Sequence, residues 1–413
     1  MRWRGTGRLA ALLLLAILLK LPLANCICGE IPATETPAWE VVISEANTSR
    51  TASSIGEASN GDLFLAGSAT DGAGIGRPYL MRRTPEGEPI WEAKGETGLR
   101  LDRGFRLAVL PDDGVVVFFS SLSFPRGAVE KETDRVVGDY YLARIDGDGA
   151  LLWEKKFGRE GFNEAVDVVV LEDGFALLGT TDSRGSGGTD YELLRTDFDG
   201  NIRWSRTYGG AANDHAVDLE VTDDGGFALL GDSESMTTGF SSLYLVKTDA
   251  EGRQLWRKSY GIGLIGYAGG LVETDTGGFL LAGYADLQPF GFSEPQAILV
   301  DANGEVIWEK LLVLERYHRI QGAIAVSGGG YVLVGTVEEN NTDAACETIA
   351  VLEVTGDGGF DRSRVYGAHY GTQGYQVIEA RDGNFVVVGT SMNFRDSYSH
   401  NEAYLAKVER EGG

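Results

Sequence analysis

An all-β ring of seven four-stranded blades is predicted by three observations. The stretch GGFALLG at 225–231 recurs as GDLFLAG (61–67), GVVVFFS (114–120), DGFALLG (173–179), GGFLLAG (277–283), GGYVLVG (329–335) and GNFVVVG (383–389). The last residues of these copies lie 53, 59, 52, 52, 52 and 54 positions apart. A period near 50 made of short apolar strands marks a propeller or a solenoid. Within each period, strand-like runs alternate with Gly-rich turns, as in a propeller blade. A tryptophan closes the period at a fixed place: Trp91, Trp153, Trp204, Trp256 and Trp308 each follow a glycine by four positions.

Blade four shows the elements in order. AVDLEVT (216–222) is the first strand and Asp223-Asp224-Gly225-Gly226 a tight turn. FALLGDS (227–233) is the second strand, followed by the polar loop 234–241. SLYLVKT (242–248) is the third, and the turn Asp249-Ala250-Glu251-Gly252 leads into RQLWRKSY (253–260), the fourth. Glycine supplies the positive φ that a short hairpin needs. The indole offers a large apolar face for packing between neighbouring sheets. Arg362 stands where blade six should carry its tryptophan.

The two ends of the chain complement each other. Trp39 precedes Trp91 by one period, yet only residues 1–38 stand before it. At the other end the chain stops after a third strand, EAYLAKVE (402–409). The run WEVVIS (39–44) is therefore expected to complete blade seven and close the ring, removing exposed sheet edges. Residues 39–413 form the propeller, 26–38 a linker, and 1–25 a secretory signal. That signal has Arg2, Arg4 and Arg8 before the apolar run Leu9 to Leu19, which is too short to span a bilayer comfortably. The alternative is a single N-terminal membrane anchor. Leu23-Ala24-Asn25-Cys26 resembles a lipoprotein processing box with Cys26 as the lipidated residue, although Asn25 departs from the small residue usual there. Ordinary cleavage nearby is the rival. Both routes export the mature chain.

Composition excludes several classes. Gly, at 58 of 413 residues, is about twice its usual share and falls mostly in the repeat turns. The formal charge is −25, and removing Arg2, Arg4, Arg8 and Lys20 leaves −29 on the exported part. Such a field repels phosphate backbones, so no nucleic-acid partner is expected. Cys26, Cys28 and Cys346 show no C-x-x-C spacing, so neither a metal knuckle nor a redox pair is indicated. With Cys26 lipidated, Cys28 and Cys346 would remain to pair. No nucleophile elbow, phosphate loop or HExxH helix is present.

The run TDFDGNIRWSRTYGGAANDHAVDLEVTDDGGFALLG (196–231) resembles the repeat of a large family of secreted bacterial and archaeal β-propellers. The resemblance covers 39–413 and is strongest in blades three to five. It implies a surface or lipoprotein-type protein; few members have an established activity. The Gly-x-x-x-Trp element is also similar to the docking motif of quinoprotein-type and outer-membrane-assembly propellers, whose repeats are shorter.

Two regions are candidates for function. The turns joining first to second and third to fourth strands are short and uniform, whereas loops 121–138, 182–189, 234–241, 285–294 and 337–346 vary widely. These loops share a face with the connections between blades, and function usually lives on variable loops. His215, His318, His369 and His400 map there, with Glu164, Asp190 and Asp214. A metal or acid–base site is one reading, but no two histidines stand at ligand spacing. The second region is the channel. Aligned on the following turn, Ser54, Arg106, Asp167, Asp218, Gly270, Gly322 and Gln376 occupy one level of the innermost strands. Asp167 and Asp218 could bind a divalent cation there, or these residues cap backbone donors of neighbouring blades. The reading is an exported, monomeric binding or scaffold module for a protein or extracellular ligand, with no cofactor beyond such a cation. Its membrane contact would be confined to a lipid anchor at Cys26. The alternative is an extracellular hydrolase or lyase acting at the channel mouth.

Overall fold

The computed structural model describes residues 36–45, 47–72, 74, 76–95, 101–123, 137–158, 160–236, 241–261, 265–287, 292–312, 317–338, 347–366, 371–393 and 400–410. The N-terminal segment read above as a signal, all three cysteines and His369 lie outside these residues. The described residues form 28 strands in seven four-stranded antiparallel sheets, with no helix among them. Each sheet is one blade of a propeller. In blade four the order from the inside outwards is Asp214–Val221, Phe227–Ser233, Ser242–Thr248 and Gln254–Tyr260. The third strand is wholly buried, whereas the outer strand exposes alternate residues. The core therefore lies between blades. Ala176, Leu178 and Leu193 of blade three, for example, share one apolar cluster with Leu219, Phe227 and Leu229 of blade four.

Every inner strand carries a register irregularity at the same level, after Ala52, Arg103, Ala165, Ala216, Ala268, Ile320 and Gly374. The bulge pushes an inner-strand carbonyl towards the second strand, and this explains the glycine that ends the repeat. A Cβ on Gly231 would stand 2.0 Å from the His215 carbonyl oxygen, and one on Gly67 1.8 Å from that of Thr51. The same close approach recurs at Gly283, Gly335 and Gly389. Blade three differs, since a Cβ on Gly179 would meet the Tyr140 hydroxyl at 2.5 Å instead, and blade two has Ser120 in place of the glycine. Its irregularity is wider, running from Arg103 to Arg106, and so makes room for a side chain.

The tryptophans bind one blade to the next. Each indole stacks on the glycine of the following blade's third-to-fourth turn: Trp39 on Gly87, Trp91 on Gly149, Trp153 on Gly200, Trp204 on Gly252, Trp256 on Gly304 and Trp308 on Gly358. Gly252 holds φ +72°, and a Cβ there would meet Trp204 at 2.6 Å. Glycine is thus required both by its dihedral and by the indole pressed on it. The indoles are half-buried at the periphery, each packed between two neighbouring blades. The irregularity at Arg362 now has a cause. Arg362 pairs with Glu353 at the tryptophan's position, next to the one blade whose third and fourth strands are not joined by a hairpin.

Blade seven is that blade. Trp39–Ile43 pairs antiparallel with His400–Val408, in the register Trp39↔Lys407 to Ile43↔Ala403. The N-terminal strand is the outermost of the sheet, as its spacing from Trp91 predicted, and the ring is closed.

Candidate functional site

The bulges also shape the channel. A bulge re-aims the side chain it carries, and here the unpaired residues Ser53, Phe105, Val217, Gly269, Gln321 and Tyr375 line a cavity of about 830 Å³ on the ring axis. Thr51, Ser68, Thr70, Arg106, Glu164 and Asn401 complete most of its wall. Ser68 and Thr70 lie at the end of a second strand and Asn401 at the start of a third, so the cavity sits at the long-loop end of the channel. Deeper in, a pocket of about 80 Å³ is lined by Arg106, Asp167, Asp218, Gly322 and Gln376 among others. Sequence alignment found this deeper level. It missed Ser53, Gln321 and Tyr375, which stand one residue earlier, because an extra residue inside a strand leaves no compositional trace.

At the deeper level the side chains are engaged with the next blade. Gln376 Oε1 accepts from the Ile55 N–H (2.8 Å), Ser54 Oγ from Leu107 (3.0 Å), Asp167 Oδ2 from Leu219 (3.3 Å) and Asp218 Oδ2 from Leu271 (2.7 Å). Where the column holds Gly270, blades meet directly, since a Cβ would stand 2.5 Å from the Ala323 nitrogen. Backbone capping accounts for these contacts without a ligand. Among the described residues, no group of three or more His, Cys, Asp or Glu is placed to hold a metal ion.

Burial disfavours the charged form of these carboxyls. It raises Asp167, with the neighbouring Asp218 adding to the shift, and it raises Asp218 as well. Burial, then the charges of Asp218 and Asp167, pushes Glu220 up to about 8. Asp232 is pushed to about 7 by burial, against the Ala268 N–H it accepts. An unfolded carboxyl titrates near 4, so each group binds more protons in the native state between that pH and its native value. The stabilisation is complete below about pH 4 and is lost as pH rises through 7–8. Melting temperature should therefore fall between pH 5 and pH 9. Glu220→Gln should recover about 1–2 kcal/mol at pH 9, a figure discounted for partial exposure to the channel. Thermal melts of both proteins at the two pH values check this; a wild type that gains stability towards pH 9 contradicts it.

The long-loop candidates are placed as follows. Asp214 is fully buried and accepts from Gly210 N–H (2.8 Å), Ser235 hydroxyl (2.7 Å) and Ser233 hydroxyl. Asp190, 1% exposed, accepts from Ser186 N–H (2.7 Å), and its pKa is raised by burial and then by Asp214. The two carboxylates thus fasten the loops between blades three and four. In blade three Asn163 does the same work as Asp214, accepting from Thr181 (2.7 Å) and Ser183 (3.2 Å). A device repeated in successive blades is structural. The histidines do not sit in connections as expected: the strands extend further, so that His215 and His318 are each the second residue of an inner strand and His400 begins a third strand. His215 is exposed and His400 half-buried, in blades four and seven.

The fold and its axial cavity define a β-propeller, and solved propellers are similar to it. An ulvan lyase, a polysaccharide lyase bound to a GlcA(1-4)Rha3S unit, superimposes with TM-score 0.60 at 12% identity, covering 90% of this chain and 96% of that one. A catalytically inactive virginiamycin B lyase from Staphylococcus aureus, with quinupristin, gives 0.52 at 10% identity, covering 89% and 99%. At these identities the likeness is one of fold. No protein-family model matches the chain, and no curated protein matches it.

Proposed function

We propose that this is an exported propeller of the cell envelope or extracellular space, a binding module that takes its ligand at the long-loop mouth of the channel. The observation that carries this reading is the cavity of about 830 Å³, within the 300–1,000 Å³ typical of ligand sites. Its wall draws polar groups from several blades, while the acids of the deeper column are occupied with backbone. The basic-then-apolar N-terminus supports export, and the repeat supports membership of the secreted propeller family that 196–231 resembles. Closure of the ring, which leaves no long unpaired inner edge, supports a monomer, and the strongly acidic chain disfavours nucleic acid.

A hydrolase or lyase is the second reading, since Arg106, Glu164 and Tyr375 share the cavity. A lyase base must lose its proton readily, whereas the Tyr375 hydroxyl donates to Gln373 Oε1 (2.6 Å) and burial raises its pKa. That chemistry favours binding over turnover. The test is a plug. Ser68→Trp narrows the mouth, and exchange of 124–136 for a short Gly-Ser turn removes a long loop at little cost to already paired strands. Both variants should melt within a few degrees of wild type and lose at least about tenfold in binding to envelope polysaccharide fragments or proteins. Changes to the turns at 223–226 or 249–252 should lower stability instead. A plugged protein that binds as well as wild type overturns the reading; formation of new chain ends from a polysaccharide favours the enzyme.

A further inference from the structure

We infer that the cavity takes a sugar acid, with its carboxylate held by Arg106. This deepens the binding reading above and rests on it. The chain carries a formal charge of −25, yet among the described residues the one cation in the cavity wall is Arg106. Its Nη1 donates to the carbonyls of Ser53 (3.2 Å) and Phe105 (3.3 Å), which fix the guanidinium at the floor between the cavity and the deeper pocket. Among the described residues no carboxylate lies within ion-pair distance of it, and its remaining N–H groups have no protein acceptor. Glu164 also lines the cavity, and the acids that act on the guanidinium from the deeper column are Asp167 and Asp218. Burial favours their neutral form, so they offset the guanidinium less than two carboxylates would. A guanidinium of this kind matches a carboxylate with two parallel hydrogen bonds.

The rest of the wall suits a hydroxylated frame. The hydroxyls of Thr51 and Ser68 lie 3.0 Å apart, with Thr70 beside them on the same blade. Across the cavity Gln321 accepts from Thr336 through Oε1 (3.0 Å), which leaves its amide N–H groups for a ligand. The half-buried side-chain amide of Asn401 has no partner among the described residues. Donors and acceptors therefore alternate around one cation, and a sugar acid presents the matching groups. The acidic field of the whole chain repels long polyanions. The ligand is thus a short acidic oligosaccharide or the acidic end of a longer one, with one carboxylate seated on Arg106.

The test uses the full chain and titration calorimetry with digalacturonate, neutral cellobiose and inorganic sulfate. Digalacturonate should bind, and Arg106→Gln should weaken it roughly ten- to hundredfold, as loss of a charge-assisted pair does. Arg106→Lys should fall between the two, because it keeps the charge and loses the fork. Asn401→Ala, which leaves the Arg106 contacts to Ser53 and Phe105 in place, should cost a few-fold and keeps the test open if Arg106→Gln melts early. Cellobiose should bind as poorly as digalacturonate does to Arg106→Gln, and sulfate should not compete. Equal binding of acidic and neutral disaccharides, absence of digalacturonate binding, or indifference to Arg106→Gln overturns the inference. If Ser68→Trp abolishes binding of some other ligand while digalacturonate fails, the cavity reading stands and the ligand class falls. If Ser68→Trp changes nothing, both fall.

Discussion

Deletion of residues 36–43 is expected to lower the melting temperature by roughly 10 °C or more, or to prevent folding outright. The strand is not an appendage. Its backbone pairs with the whole of Ala403 to Lys407, and Ala38 N–H donates to the Lys407 carbonyl (2.8 Å). Ile43 is buried at 7% exposure in the cluster that joins blades seven and one, with Trp39 and Val41 packed against it. Trp39 covers Gly87 of blade one, and Glu40 accepts from the Tyr404 hydroxyl (2.7 Å). Truncating one buried Ile or Trp costs about 2–5 kcal/mol, and here both go together with a row of backbone hydrogen bonds. The deletion also bares the edge of the third strand, so the variant should self-associate. Calorimetry and sedimentation read both effects, and a peptide spanning 36–45 added in trans should restore part of the loss. A truncated protein that melts with wild type would mean that the ring is held without this strand.

Gly231→Ala should be among the most damaging single methyls in the repeat, at about 3 kcal/mol or more. The new Cβ would meet the His215 carbonyl oxygen at 2.0 Å and the Tyr191 hydroxyl at 2.5 Å. Neither can withdraw: the carbonyl belongs to the bulged inner strand, and Tyr191 is fully buried and donates to the Tyr244 carbonyl (3.3 Å). Gly225→Ala is the control. That glycine holds φ +78° with open space around its Cβ position, so only the dihedral cost of about 1–2 kcal/mol applies. Chemical denaturation of the two variants separates them. Equal losses would show that the repeat's last glycine is kept for its backbone freedom and not for the close approach.

These two residues show what the sequence could and could not convey. The period, the four strands per blade and the role of WEVVIS were legible because each depends on local alternation and on a count between tryptophans. The reason for the terminal glycine was not, since the bulge that demands it lies on another strand. The same bulge hid the cavity. Aligning blades on their turns put Asp167, Asp218, Gln376 and Arg106 at one level, and these four line one deep pocket, but the residues facing the mouth precede that level by one. Asp190 and Asp214 each begin a strand at the long-loop end, yet their burial and their hydroxyl and N–H partners come from loops that composition alone does not fold. The histidines looked grouped because polar segments attract them, and the blades then hold His215 and His400 apart. Arg362 read as a lapse in the pattern until closure of blade seven showed that no hairpin glycine awaits an indole there.

The central claim is that the working surface is the long-loop mouth and not the short-turn face. The most direct measurement is photo-crosslinking of the protein in its native host, with the reactive side chain placed at Ser68 or at Asp223. Mass spectrometry then reads which site acquires an adduct. Adducts at Ser68 and none at Asp223 are the predicted result; adducts at Asp223 with Ser68 unmodified would contradict the account.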